Sequence, residues 1–331
     1  MLDFLKLIRF PNLLILAFTE YMLRWFLIKP VLELKRVDIG FSVLENAITE
    51  TDFFLFSLST VMIAAAGYII NDYFDVRIDD INRPSTNVVG KTIKRRVAMG
   101  AHMVINILGC GIGIWLSYKY DLLKVGSFIY ITVPALLWFY STNLKKQFLI
   151  GNIVIALITG LIPIMVMLFE LTSIYKANPE LVQGGLLNLS DVYSVGKMYA
   201  LFAFVISLLR EIIKDAEDYE GDMAYGGKTA PIVLGIAKTK MLITGIAAVM
   251  MALIGYIQFL QQEGKDWMSF GYFTVLLQLP FVYLIYRINT AKGKNDWRIS
   301  SLIVKLIMIA GVSYLFVYAS GIYEIIAADV S

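Results

Sequence analysis

The chain is poor in the residues on which most soluble enzymes build their chemistry. Its 331 residues include one cysteine and one histidine. The lone Cys110 cannot close an internal disulfide, and within an apolar run it reads as a small core residue. The lone His102 has no second ligand in view, which argues against zinc and leaves no Ser-His-Asp set. No P-loop and no G-x-G-x-x-G opening occurs. Charge is also scarce, at 17% of residues. An ordinary soluble domain carries about 25%, so that class is excluded. No low-complexity tract or linker marks off a separate soluble domain. The net charge is only +3, and the basic run KTIKRR at 91–96 reads as a cytoplasmic flank of a membrane helix, so no nucleic acid partner is implied.

What the chain has in excess is hydrocarbon. It is 58% hydrophobic with a mean hydropathy of +0.71. Nine apolar runs reach, or nearly reach, the length that crosses a bilayer core. They lie near 10–28, 53–71, 97–117, 127–142, 149–169, 197–213, 239–260, 268–286 and 299–323. The chain is therefore expected to be all-α: a polytopic membrane protein with nine transmembrane helices in a single membrane domain, 1–331. Two more polar stretches, 29–52 and 171–196, read as extracytoplasmic loops or surface helices. Asp3 comes early and no small-residue cleavage site follows, so the N-terminus reads as the first helix. Glu20 and Arg24 stand four apart within the first run and are expected to pair on the bundle interior.

Lysine and arginine fix the orientation. Nineteen of the 29 fall on the side of the N-terminus and eight on the other. By the positive-inside rule the N-terminus is cytoplasmic and, with nine spans, the C-terminus is outside. No Lys or Arg follows Lys305. The expected location is the cytoplasmic (inner) membrane.

One acidic spacing occurs twice. Residues 71–79 read NDYFDVRID and residues 214–222 read KDAEDYEGD. Both contain D-x-x-D-x-x-x-D, as Asp72, Asp75, Asp79 and as Asp215, Asp218, Asp222. At about 100° per residue, these offsets fall near 0°, 300° and 340° around a helix. Each motif is thus expected to gather its carboxylates on one helical face, at the cytoplasmic end of an apolar run. Six carboxylates beside hydrocarbon are costly unless they pair or bind cations. Hard divalent ions such as Mg²⁺ take oxygen ligands and bridge them to phosphates. Asn71 adds an amide oxygen suited to a metal or to phosphate-bound water. The pattern points to a membrane enzyme acting on a diphosphate. A cation-coupled transporter is the non-enzymatic alternative, but transporter sites lie near the midplane, and these acids lie at span ends. The motifs also divide the chain into similar halves, about 1–142 and 149–286, with 299–323 as an added helix. Pro84 ends the first helix. Gly221, Gly226 and Gly227 give the second motif's loop the freedom of a lid.

These residues resemble the UbiA-type intramembrane prenyltransferases. The first motif is similar to that family's N-D-x-x-D-x-x-x-D signature and the second to its second aspartate-rich motif. The stretch YSTNLKKQFLIGN at 140–152 resembles the family's Y-S-x-x-L-K-x-x-x-x-x-G-N. The resemblance implies a UbiA-like bundle with a central cavity, an isoprenyl diphosphate donor, Mg²⁺, and transfer to a lipid or aromatic acceptor. It implies metal ligation by Asn71, Asp72, Asp75, Asp79, Asp215, Asp218 and Asp222, with Asp75, Asp79, Asp218 and Asp222 catalytic. Lys145 is implied as a diphosphate ligand, Lys91 and Lys214 as further substrate contacts, and Tyr140 as a cavity residue beside a cation. One departure is clear. The family's further Arg-Pro is absent, because Asn82-Arg83-Pro84 is followed by Ser85-Thr86-Asn87. The second-motif context, REIIKDAEDYEGD and KTAPIVLG, is similar to the branch whose acceptor is geranylgeranylglyceryl phosphate. Prenylation of an aromatic acid or quinone precursor is the alternative within the family. For a phosphate-bearing acceptor, Arg83, Lys94, Arg95 and Arg96 are candidate contacts.

Overall fold

The computed structural model describes residues 2–39, 48–82, 84 and 87–330. Arg83, Ser85 and Thr86 of the first acidic stretch lie outside these residues, as does the C-terminal Ser331. In chain order the helices are α1 (Leu2–Leu7), α2 (Phe10–Leu23), α3 (Lys29–Ile39), α4 (Glu50–Asn82), α5 (Arg95–Lys119), α6 (Leu123–Thr142), α7 (Ile150–Ala177), α8 (Pro179–Gln183), α9 (Ser190–Glu217), α10 (Tyr219–Ala224), α11 (Ala230–Leu234), α12 (Ile236–Glu263), α13 (Trp267–Phe273), α14 (Leu279–Thr290) and α15 (Lys294–Val330). A 3₁₀ turn at Leu144–Lys146 precedes α7, and π turns at Arg24–Ile28 and Thr274–Gln278 join α2 to α3 and α13 to α14. Among the described residues no strand forms; one isolated bridge, Val89 to Ile93, closes the turn after α4.

Among the described residues, eight stretches are long and apolar enough to cross a membrane: α4, α5, α6, α7, α9, α12, Trp267–Thr290 and Lys294–Ala328. The chain is thus an all-α integral membrane protein, and eight of the nine expected spans are present. The other, 10–28, is helical but carries Glu20 and Arg24, whose charges lower its hydropathy. The runs expected at 127–142 and 197–213 are longer than their apolar cores, as α6 and α9 of 20 and 28 residues.

The chain forms two compact units. The first comprises residues 1–18, 48–158 and 218–233. At its centre, α4 packs on α5 and α6. Helix α4 begins with a reciprocal cap: Thr49 Oγ1 accepts from the Asp52 N–H at 3.1 Å and donates to Asp52 Oδ2 at 2.8 Å. It ends at Asn82, before Pro84, which cannot continue a helix. Helix α5 approaches α4 closely at Gly109, where a Cβ would lie 3.1 Å from Ser59 O, and Ser59 Oγ donates to Gly109 O at 2.7 Å. His102 is buried with Nδ1 2.9 Å from Ala66 O, so the lone histidine joins these same two helices. Leu7, Ile69, Val88, Val89 and Ala98 form a buried cluster that fastens α1 and the 87–93 turn to α4 and α5. That turn needs Gly90 at φ +83°.

The second unit comprises residues 19–47, 159–217 and 234–331. Here α15 packs on α9, α14 and α3, and α12 packs on α9. Glu20, Arg24 and Glu170 are all buried. Arg24 forms an ion pair with Glu170 of α7. The expected inward orientation of Glu20 and Arg24 holds. Arg24's charge is met from a helix far along the chain, which spacing within one run does not reveal. A charge buried in this setting requires such a partner.

Candidate functional site

The first motif is built on the last turns of the 33-residue helix α4. Its aspartates share a face, as the spacing predicts. Cations reach that face from two other segments. Arg9, between α1 and α2, donates from Nη2 to Asp72 Oδ1 at 2.8 Å, and its guanidinium lies 5.0 Å from the Tyr68 ring centroid. Arg9 adopts a left-handed backbone at φ +50°, which costs on the order of 1 kcal/mol and has to be held by contacts such as these. Burial lowers the Arg9 pKa, but Asp72, Tyr68 and Asp79 outweigh it and the net shift is upward.

Lys145 forms an ion pair with Asp75, both side chains being about nine-tenths buried. The 3₁₀ turn that carries Lys145 is seated by Gly151, where a Cβ would fall 2.8 Å from Lys145 Cα and 2.9 Å from Leu144 O. From the other side, the Lys228 N–H donates to Lys146 O at 2.8 Å, tying the loop after the second motif to this turn. Burial pushes the Lys145 ammonium below its ordinary value, against the opposing charges of Asp75 and Asp79.

The second motif departs from expectation. It does not ride one helix: Asp215 lies in α9, which ends at Glu217, Asp218 caps α10 with φ −95° and ψ 11°, and Asp222 lies within α10. The break coincides with a contact from α4. Asn82 Nδ2 donates to Asp218 O at 3.1 Å, and Asn82 Oδ1 accepts from the Gly221 N–H at 3.0 Å. A continuous helix would commit the Gly221 N–H to a carbonyl four residues back, whereas Asp218 O takes the Asn82 amide alongside the Asp222 N–H, which donates to it at 3.1 Å. Gly221 is also not a free hinge: it is buried within α10, and a Cβ there would meet the Asn82 amide at 2.5–2.6 Å. Gly226, at φ +70°, is the residue whose turn needs glycine.

Asp72, Asp75, Asp79, Asp218, Asp222 and Lys145 therefore belong to one compact unit, while Asp215 and Lys214 belong to the other. Lys214 Nζ contacts both carboxylate oxygens of Glu211, one helical turn back, at 3.1 Å. Lys91 is exposed; it pairs with Asp80 at 2.9 Å and donates to Pro84 O at 3.0 Å, holding the turn after α4. Tyr140 is half-buried at the end of α6. Among the described residues no three carboxylates converge as a ready metal cage. The donor set is nonetheless one of hard oxygens, as Mg²⁺ requires. Asn71 Oδ1 is buried and accepts no hydrogen bond among the described residues. A buried polar atom in that state is one a ligand would satisfy.

Arg9, Asn82 and Lys228 contact the motif segments although the sequence does not single them out, and Gly151 is matched there only as part of the 140–152 stretch. Arg9 reads from the sequence only as a charge on the N-terminal side, Lys228 as the start of KTAPIVLG, and Asn82 as a neighbour of Pro84.

An all-helical membrane fold with paired acidic motifs at span ends defines a class, and the comparison with known families agrees. The chain belongs to the UbiA prenyltransferase family, whose model matches residues 40–319. Among its relatives, a digeranylgeranylglyceryl phosphate synthase of Pyrococcus abyssi is 33% identical over 193 residues, 58% of this chain and 60% of that protein. The synthase of the same name from Methanothermobacter thermautotrophicus is 31% identical over 278 residues, 82% of this chain and 85% of that one. The chain spans 60% and 64% of the length of the Pyrococcus abyssi and Thermococcus sibiricus relatives. Among solved structures, a UbiA homologue from Archaeoglobus fulgidus bound to DMAPP and Mg²⁺ shares the fold, with a TM-score of 0.55 and 16% identity over 96% of this chain and 99% of that one. The apo UbiA homologue of Aeropyrum pernix K1 does so with a TM-score of 0.58 and 14% identity, over 91% of this chain and 96% of that one.

Proposed function

We propose that the protein transfers an isoprenyl group from an isoprenyl diphosphate to a lipid acceptor, geranylgeranylglyceryl phosphate, in a Mg²⁺-dependent reaction. The observation that carries this reading is the Asn82 link, which holds the backbone of Asp218 and of Gly221, the residue before Asp222, against the helix end bearing Asp75 and Asp79. The names of the relatives support the acceptor, and the complex of the Archaeoglobus fulgidus homologue supports the donor class and the metal.

In this reading Asp75, Asp79, Asp218 and Asp222, with Asp72 and Asp215, supply oxygen ligands, and the free Asn71 Oδ1 holds a proton of a bound water. Bound Mg²⁺ would neutralise the diphosphate and so help the departing pyrophosphate carry its charge. Lys145, with Lys91 and Lys214, adds positive charge for the same leaving group. The allylic C1–O bond breaks with its electrons going to pyrophosphate. C1 then bonds to the acceptor hydroxyl oxygen, whose proton passes to the released pyrophosphate. Tyr140 faces the developing cation. Water must be kept from C1, and we assign that closure to the loop at 225–228, whose Lys228 N–H donates to Lys146 O.

The test is product mass spectrometry with purified protein, Mg²⁺ and geranylgeranyl diphosphate. One reaction offers geranylgeranylglyceryl phosphate, another 4-hydroxybenzoate or a naphthoate. A digeranylgeranyl ether product supports the reading. Turnover of the aromatic acceptor alone rejects the lipid acceptor, and ion uptake without pyrophosphate release favours a transporter. From the charge asymmetry we read both motifs as cytoplasmic. In a Cys110→Ser background, labelling of a cysteine at position 90 or 225 from outside intact cells would overturn that orientation.

A further inference from the structure

We propose that Asn82 is a positioning residue that sets the register of the second acidic motif against the first, an inference that rests on the diphosphate-site reading above. Asn82 is the last residue of α4 and is buried. Its amide uses both functions on one short segment, donating to Asp218 O at 3.1 Å and accepting from the Gly221 N–H at 3.0 Å. These two backbone groups flank the segment between the acids: one belongs to Asp218 itself, the other to the residue just before Asp222. At the other end of the link, Asp79 lies three residues before Asn82, on the same face of α4. Fixing the amide plane therefore fixes the carboxylate-bearing backbones relative to each other.

The chemistry narrows what can stand there. The link needs one donor and one acceptor side by side in a plane, which only a primary amide supplies. Asp at this position would turn its second oxygen against the Asp218 carbonyl, and Gln would overreach by a methylene. The partner is equally constrained. A Cβ at Gly221 would lie 2.5 Å from Asn82 Nδ2 and 2.6 Å from Oδ1, so any side chain there drives the two motifs apart. A helix C-cap alone does not require this arrangement, because capping groups satisfy the helix's own last carbonyls. Asn82 instead spends its amide on a segment 136 to 139 residues further along.

The test uses the full chain in detergent or nanodiscs, with Mn²⁺ plus inorganic pyrophosphate as the binding probe. Asn82→Ala should weaken Mn²⁺–pyrophosphate binding, read by electron paramagnetic resonance, by about ten-fold or more, the usual loss when the support of a metal ligand is removed. The donor KM should rise with it, while the acceptor KM stays within about two-fold. Hydrogen exchange should quicken across 218–223 and not in α5. Gly221→Ala, which leaves Asn82 in place, should reproduce all three effects. Mn²⁺ affinity within about two-fold of wild type in Asn82→Ala overturns the proposal, as does weakened binding with unchanged exchange at 218–223. If Asn82→Ala fails to fold, wild-type binding by Gly221→Ala overturns it instead. A wild-type protein that turns over no isoprenyl diphosphate, yet binds Mn²⁺–pyrophosphate in an Asn82-dependent way, would refute the prenyl-transfer reading and leave the positioning role standing.

Discussion

In the first acidic motif three aspartates ride one unbroken helix, and side-chain cations come to it, Arg9 at Asp72 and Lys145 at Asp75. In the second motif the same spacing crosses a break at Asp218, and there it is the backbone that is held, by Asn82. Identical sequence spacing is thus realised by two different devices. A helix presents its carboxylates in a row but cannot curl them round a ligand, whereas a broken segment can be turned toward such a row. A rigid face opposed by a clamped turn is a reasonable way to surround a diphosphate, which has oxygens on all sides.

The strongest way to break this comparison is to remove one acid from each device. Asp75→Ala and Asp218→Ala should each lower the transfer rate by about 100-fold or more, on the order of 3 kcal/mol of lost electrostatic stabilisation. Single-turnover rates at saturating Mg²⁺ would measure this. If either variant keeps more than about a tenth of wild-type activity, the two motifs do not share one site.

A smaller effect separates the devices. Lys145→Met leaves Asp75 buried without its cation, while the Asn82 link to the second motif stays intact. Leaving one partner of a buried ion pair uncompensated costs on the order of 3 kcal/mol, so the variant should melt at a lower temperature and show a raised donor KM. Gly151→Ala should act in the same direction but more mildly, by about 1–3 kcal/mol, because its Cβ pushes on the backbone of the Lys145 turn at 2.8 Å. A variant pair whose donor KM is unmoved would detach Lys145 from the diphosphate.

The first device was largely legible in the sequence and the second was not. The face of α4 follows from period alone, Pro84 marks its end, and the stretch around Lys145 was found by resemblance. At 214–222 the same reasoning placed all three acids on one helix, since D-x-x-D-x-x-x-D reads identically whether or not the chain breaks inside it. The break coincides with a bond from Asn82 to a segment 136 residues away, and no local pattern encodes such a pairing. Gly221 was misread for a related reason: a glycine that permits close approach and one that permits a turn look alike in sequence. The fold was legible at the level of eight spans because bilayer thickness imposes long apolar runs. The segment 10–28 was the harder one, since Glu20 and Arg24 make its burial depend on distant partners such as Glu170.

The smallest effect tests what lies beside the first device. Arg95 and Arg96 are exposed at the start of α5. The Arg95 guanidinium lies 4.6 Å from the centroid of the Tyr73 ring, and Nη2 reaches Tyr73 O at 3.5 Å. Tyr73 follows Asp72 directly, so this cation stands next to the acidic row without pairing to it. A phosphate on the acceptor would profit from such a charge, whereas a neutral aromatic ring would gain little. Replacing both residues, Arg95→Gln with Arg96→Gln, should raise the acceptor KM by about five-fold, equivalent to roughly 1 kcal/mol for exposed charge contacts. The donor KM should change by less than about two-fold, because the donor's charge would be met by Mg²⁺ held at the acidic sites and by Lys145. Raising the ionic strength should shrink the difference between variant and wild type, as screening removes what the arginines supply. Donor and acceptor KM rising together would place these arginines at the diphosphate. If neither moves, the acceptor phosphate binds elsewhere.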